Sequence, residues 1–337
     1  MTFSQEFNTK VPFVLAVIVE TQGSTYHKAG ALMLIDQHGQ RNGLLSGGCL
    51  EEDICLHALT VMHSNRVKRL SYNLQDDDDS VWGLGLGCDG ALDIALIPLN
   101  SSNAHLSFDK VLKSISKGER GLLELSVAEG EKTSMHFCTA TGALSDIDVG
   151  HQTVEFNVSN QMLTVPVTPP LHIVICGAGP DAEPLVAMMA LLGWAVSIID
   201  HRKVALNRSA FVACGHKVSF KSASDANSLL SKADGVVIMT HSIERDGLML
   251  KRALAENIAY IGLLGPRARR EKILDKHSVP REQASRVHGP IGLDLGGRGP
   301  EAIALSICAQ VQSFFAVKAS GQDALNKAEV SEAVNFD

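Results

Sequence analysis

Residues 172–202, HIVICGAGPDAEPLVAMMALLGWAVSIIDHR, constrain the fold of this 337-residue chain more than any other stretch. Ile173 to Cys176 form a short apolar run of the kind a buried parallel strand needs. Gly177, Ala178 and Gly179 permit a tight turn and a close approach of backbone amides to a phosphate. Ala182 takes the third small position, where a helix presses against a sheet. Pro184 fits the first turn of that helix, where a missing N–H costs little. Leu185, Met188, Met189 and Leu192 give the helix one apolar face, and Gly193 closes it. A second strand, Ala195 to Ile199, delivers Asp200 about twenty residues after the glycines, within reach of a ribose hydroxyl. Strand, glycine turn, helix, strand and acid in this order predict an α/β fold: a Rossmann-like, doubly wound parallel sheet.

A chain of this length is expected to hold two domains, and more than half of it precedes the glycine turn. The segment VPVTPP breaks regular structure, because consecutive prolines continue neither sheet nor helix. The boundary is therefore placed near Pro169: residues 1–168 form an N-terminal α+β domain, 169–318 the Rossmann-like domain, and 319–337 a polar tail. In the first half, Val14 to Val19 and Ala31 to Ile35 read as strands flanking ETQGSTYHKAG. LLSGGCLEEDICLHALTVMHS reads as a strand, a glycine turn and a helix. QDDDDSVWGLGLGCDGALDIALIPL reads as an acidic loop, a glycine-rich loop and a buried strand, with Asp76 to Asp79 a solvated loop. Residues 101–120 suggest a turn and a helix, and residues 121–167 two hairpins.

Beyond Asp200, Gly235 to Met239 is an apolar strand leading into Thr240 and His241, and Tyr260 to Leu264 another leading into Gly265. Ligands of open α/β sheets sit outside the carboxyl ends of the strands. Gly177, Gly179, Asp200, His241 and Gly265 are therefore expected on one rim. Asp294 joins the candidates because HGPIGLDLGGRGPEA is too rich in glycine for mere connection, and an apolar helix follows it from about Pro300. Arg267, Arg269 and Arg270 read as a solvated helix face.

A net charge of −7 argues against nucleic acid or an anionic membrane as the main partner. The seven cysteines include no C-x-x-C pair and suit a reducing compartment. Cysteine and histidine spacing suggests no zinc site. No run is read as long enough to span a membrane, and Val11 to Val19 lacks the flanks of a signal peptide. A cytoplasmic location is expected.

Eight separated motifs point the same way: GSTYHKAGALMLI, LLSGGCLEEDI, GLGLGCDGALDI, GAGPDA, DHR, VVIMTHS, YIGLLGPRARREKIL and HGPIGLDLGGRGPEAIALSI. Together they resemble the xanthine dehydrogenase accessory proteins, the XdhC/CoxI family, over both halves of the chain except about 101–165. The resemblance implies a maturation factor rather than an enzyme with turnover of its own. Such a protein binds the molybdenum cofactor (molybdopterin or its dinucleotide form), protects it while its terminal sulfido ligand is installed, and hands it to a molybdenum hydroxylase. A cysteine desulfurase as further partner, a homodimer, and two domains facing one cleft belong to the same expectation. Two departures stand out. Tyr26-His27-Lys28 occupies the place of Pro-Arg-Lys, and Asp89 follows Cys88 where glycine is frequent.

The implied cofactor site gathers Cys49, Glu51, Cys88, Gly177, Gly179, Asp181, Asp200, Arg202, His241, Gly265 and Asp294. Cys49 precedes a helix, whose N-terminus lowers a thiol pKa and exposes amides to anions. Glu51 and Glu52 either complement that helix end or, for Glu51, face the ligand. Arg202 is a candidate for a phosphate. Cys176, Cys55, Cys138, Cys214 and Cys308 read as packing. The rival readings are an NAD(P)-dependent oxidoreductase built on the same Rossmann-like domain and a nucleotide-sensing regulator without turnover.

Overall fold

The computed structural model describes residues 7, 10–48, 50–73, 90–139, 153–220, 227–256 and 258–319. The chain divides into two units, Met1–Pro169 and Pro170–Asp337. In the first, the organising strand is β1 (Phe13–Gly23). It lies among β2 (Leu32–Asp36), β3 (Arg41–Asn42), β4 (Lys68–Asn73) and β5 (Gly90–Leu99) in the antiparallel order β3-β2-β1-β5-β4. Side chains alternate along a strand, so β1 serves two cores. Phe13, Leu15, Val17 and Val19 enter one, while Val14, Ala16 and Ile18 enter the other. Burial on both faces is why β1 reads as an unbroken apolar run.

Helix α1 (Glu51–Val61) closes the second of these cores with Ile54, Cys55, Ala58 and Val61. The first is closed by α2 (Phe108–Ser116) and by a further sheet of β6 (Gly121–Ser126), β7 (Met135–Thr139), β8 (Glu155–Asn157) and β9 (Met162–Val167). Both expected hairpins form, β6 with β7 and β8 with β9, and β6 pairs with β9 to join them. One expectation fails. Leu44 to Ser46 is a loop rather than a strand, because the Leu45 and Ser46 N–H groups donate to the Glu51 carboxylate instead of to a neighbouring strand.

The second unit holds β10 (His172–Cys176), β11 (Ala195–Asp200), β12 (His216–Ser219), β13 (Gly235–Ile238), β14 (Tyr260–Leu263) and β15 (Val287–His288), all parallel. Their order, β12-β11-β10-β13-β14-β15, reverses direction between β10 and β13, the Rossmann arrangement with its switch point. The α/β expectation holds, with this parallel sheet following the antiparallel sheets of the first unit.

Both faces of the parallel sheet are covered. Helix α3 (Ala182–Leu191) lies on one with Leu185 and Met189. The short α4 (Lys203–Leu206) lies on the same side, and α5 (Asn227–Leu230) on the opposite one. Helices α6 (Ile243–Ala255) and α7 (Arg267–Lys276) join α5 with Met249, Leu250, Ile273 and Leu274. After the short α8 (Arg281–Ala284), α9 (Pro300–Ala319) returns to the α3 side with Ala304, Ile307 and Val311. Leu192 is not on the buried stripe but half-exposed, since α3 ends at Leu191 and Gly193 turns the chain at φ +76°. Contrary to expectation, Pro300–Val317 is long and apolar enough to cross a membrane by length and composition. Its Ala304, Ile307, Cys308 and Val311 stripe is spent on the core of this unit.

Candidate functional site

Sequence motifs meet in each unit, and the two groups are described separately. In the first unit, β1 and β5 pair Gly23 with Gly90, and a side chain at 90 would strike the Ser24 carbonyl. The exposed Tyr26 ring packs over Gly47, where a Cβ would approach it to 3.0 Å, and meets His27 edge-on at 4.9 Å. GSTYHK, the SGG turn and the start of GALDI thus share one end of this sheet. Cys49, Cys88 and Asp76 to Asp79 lie outside the described residues.

Glu51 determines how the SGG turn folds. Its carboxylate is buried and accepts from Leu45 N (3.1 Å), Ser46 N (2.7 Å), Ser46 Oγ (2.6 Å) and Gly48 N (2.9 Å). Burial alone would raise its pKa, but the Ser46 side chain and the backbone donors outweigh it and hold the group below the ordinary carboxylate range. The expectation that Glu51 faces a ligand is corrected. It faces its own backbone, and amides that could have met an anion are taken.

In the second unit, the rim gathers Gly177, Gly179, Asp181, Asp200, Arg202, His241 and Gly265 at the carboxyl ends of β10, β11, β13 and β14. Gly177 has φ +124° and a side chain there would strike the Met239 carbonyl, so only glycine fits between β10 and β13. Asp200 is buried and accepts from Ala178 N (2.7 Å), Arg202 N (2.7 Å), Arg202 Nε (3.0 Å) and Arg202 Nη2 (2.8 Å). Two carboxylate oxygens offer about four lone-pair sites, and none is left for a ribose hydroxyl. Asp200 therefore braces the glycine turn instead. Burial would raise its pKa, yet the Arg202 guanidinium and the two backbone donors bring it down to about 2. Arg202 is half-exposed and bound edge-on to Asp200.

His241 has φ +61°, rare for a residue with a side chain, and its Nε2 lies 2.8 Å from Asp181 Oδ2. Asp181 makes no cap to α3, and its Oδ1 is buried without a partner among the described residues. Asp294 is exposed in the loop between β15 and α9, apart from this cluster of bonds.

Sequence comparison matches residues 173–311 to the XdhC Rossmann domain and residues 7–73 to the XdhC and CoxI family. A relative from Bacillus subtilis, named as a probable subunit of xanthine dehydrogenase, is 30% identical over 88% of this chain and 92% of its own. The chain belongs to the XdhC and CoxI family. It is also 24% identical, over 89% of its length and 82% of the relative's, to the molybdenum cofactor insertion chaperone PaoD of Escherichia coli. A crystal structure of a xanthine dehydrogenase from Bacillus halodurans superposes with a TM-score of 0.75 at 27% identity, covering 91% of this chain and 93% of that one.

In this XdhC-type Rossmann unit, sequence reasoning missed the support beneath the rim. Asp246, fully buried on α6, accepts from Thr240 N (3.0 Å), Thr240 Oγ1 (2.6 Å) and Arg269 Nη2 (2.6 Å), tying the end of β13 to α7. The signal was present: an acid three and four residues before Met249 and Leu250, on an otherwise apolar stripe. Arg269 also fills the space above Gly265, where a Cβ would lie 2.5 Å from its Cδ. Arg270 donates to the Ala284 carbonyl at 2.8 Å. Arg269 and Arg270 are therefore not a solvated face; only Arg267 of the three is exposed. Cys176 is buried as expected, and burial, then the nearby Asp246 charge, push its thiol up to about 12. Cys55, Cys214 and Cys308 are buried too, whereas Cys138 on β7 is exposed.

The roles of Glu51 and Asp200 are open to direct test. Glu51→Gln turns an amide NH2 toward groups that are themselves donors, and stability should fall by about 2–4 kcal/mol. The exposed Glu52→Gln should change it by less than about 0.5 kcal/mol. Equal urea midpoints for the two variants would remove Glu51 from this role. For Asp200, a folded pKa of about 2 against an unfolded 3.8 stabilises the fold by about 2 kcal/mol above pH 4. That contribution is lost as pH falls from about 4 to 2. Arg202→Gln should move acid unfolding to higher pH, and an unchanged acid transition would contradict the assignment.

Proposed function

We propose that this protein binds the molybdenum cofactor as cargo, shelters it during sulfuration and delivers it to a molybdenum hydroxylase of the xanthine, aldehyde or carbon monoxide dehydrogenase type. The observation that carries this reading is a polar rim at a Rossmann switch point, in a chain similar along most of its length to a molybdenum cofactor insertion chaperone. The relative named for xanthine dehydrogenase supports the class of client. The nicotinamide-dependent alternative loses its main support, because Asp200 has no lone pair free for a ribose.

Cargo contacts are assigned to the rim of the second unit, with Gly177, Gly179, Asp181, Arg202, His241 and Gly265 as its members, and to Asp294 in the loop before α9. Cys49 and Cys88 are assigned to the molybdenum or its sulfur, and a cysteine desulfurase is the partner that supplies that sulfur. The working unit is a homodimer in the cytoplasm.

The test is to purify the protein from cells that make the cofactor, oxidise it, and measure released pterin by fluorescence. Pterin approaching one equivalent per chain is expected. A folded protein that carries none would overturn the proposal. Cys49→Ala should keep its fold yet retain less cofactor and activate the client less. Full retention with full activation would reduce Cys49 to a packing residue.

A further inference from the structure

In a dinucleotide-binding turn the second glycine leaves room for a pyrophosphate to approach the backbone. Here that room is already occupied. A Cβ at Gly179 would lie 2.5 Å from Asp181 Oδ1 and 3.8 Å from His241 Nε2. The turn is also poor in donors. Pro180 has no N–H, Ala178 N donates to Asp200 (2.7 Å), and Gly177 N donates to the Ile199 carbonyl (2.8 Å). The N–H groups of Gly179 and Asp181 have no acceptor among the described residues, but they adjoin a carboxylate of the same charge as a phosphate. What stands at Gly179 instead is an acceptor, the Asp181 carboxylate, while the nearby Arg202 guanidinium is engaged through Nε and Nη2 with Asp200. Asp181 holds His241 through Nε2, and Nδ1 of this largely exposed ring has no partner among the described residues. Asp181 Oδ1 has no partner of its own among the described residues.

We propose that Asp181 and His241 decide which end of a ligand this rim accepts, refusing a phosphate or diphosphate and holding the hydrogen-bond-donating edge of a heterocycle. The fitting chemistry is a 2-amino-4-oxopyrimidine ring, whose adjacent N–H and NH2 groups match a carboxylate with two oxygens. The inference rests on the cargo reading only in taking that ring to be the cofactor's pterin. It reverses the usual polarity of a Rossmann turn: the phosphate end of the cargo lies away from Gly179.

Free pterin and ADP, titrated calorimetrically into the full-length chain, test this directly. The wild-type protein should bind pterin and bind ADP at least tenfold more weakly than Asp181→Asn does. Asp181→Asn, which keeps the shape and removes the charge, should lose at least tenfold in pterin affinity. His241→Ala is the second variant. It keeps the carboxylate, so it should weaken pterin while still refusing ADP. Glu183→Gln, on the same turn of α3, should behave as wild type in both titrations. The proposal is overturned by wild-type protein that binds no pterin, by ADP affinity equal in wild type and Asp181→Asn, or by ADP binding gained in His241→Ala. A purified protein empty of cofactor would count against the cargo reading, while the pterin and ADP titrations would still decide this one.

Discussion

The second unit depends on a carboxylate that never meets solvent. Asp200 ends β11, and its oxygens bind the turn after β10 through Ala178 N and the segment after β11 through Arg202. An unpaired buried charge costs several kcal/mol, so this geometry persists only because each oxygen is matched. The position of Gly179 follows from the position of Ala178, and that of Asp181 and His241 follows in turn. Asp246 does the same work one layer down, fixing Thr240 immediately before His241. The rim is therefore shaped by two buried acids that no ligand has to touch.

Architecture was legible in the sequence because it is written in local patterns. The run Ile173 to Cys176, the glycines at 177 and 179 and the strand ending at Asp200 each declare themselves within a few residues. The order of the parallel strands then follows from the fold they announce. In the first unit, alternation gave both hairpins between 121 and 167. Leu44 to Ser46 misled, because an apolar pair before a glycine turn reads as a strand whatever becomes of its amides.

Side-chain roles were less legible for one physical reason. A carboxylate can serve a ligand or its own backbone, and the choice depends on which amides lie free nearby in space. Asp200 and Glu51 both stand where an acid is expected to look outward. In both cases the donors it finds belong to the chain, with Ala178 lying 22 residues before Asp200 and Leu45 six before Glu51. Asp246 is the opposite case. Its place on an apolar helical stripe carried a signal of burial that the sequence reading passed over, and which partners it would find, Thr240 and Arg269, depended on the folded sheet.

The Glu51 turn has a consequence for the protein in its empty state. A glycine turn ahead of a helix usually leaves amides that gain from a bound anion, and such a ligand stabilises the fold by mass action. Here the anion is covalently part of the chain, at an effective concentration no solute reaches, and it cannot diffuse away. The Leu45, Ser46 and Gly48 amides are thus satisfied before any ligand arrives and stay so after one departs. Phosphate or sulfate in solution finds those three amides already taken and has nothing to add to them.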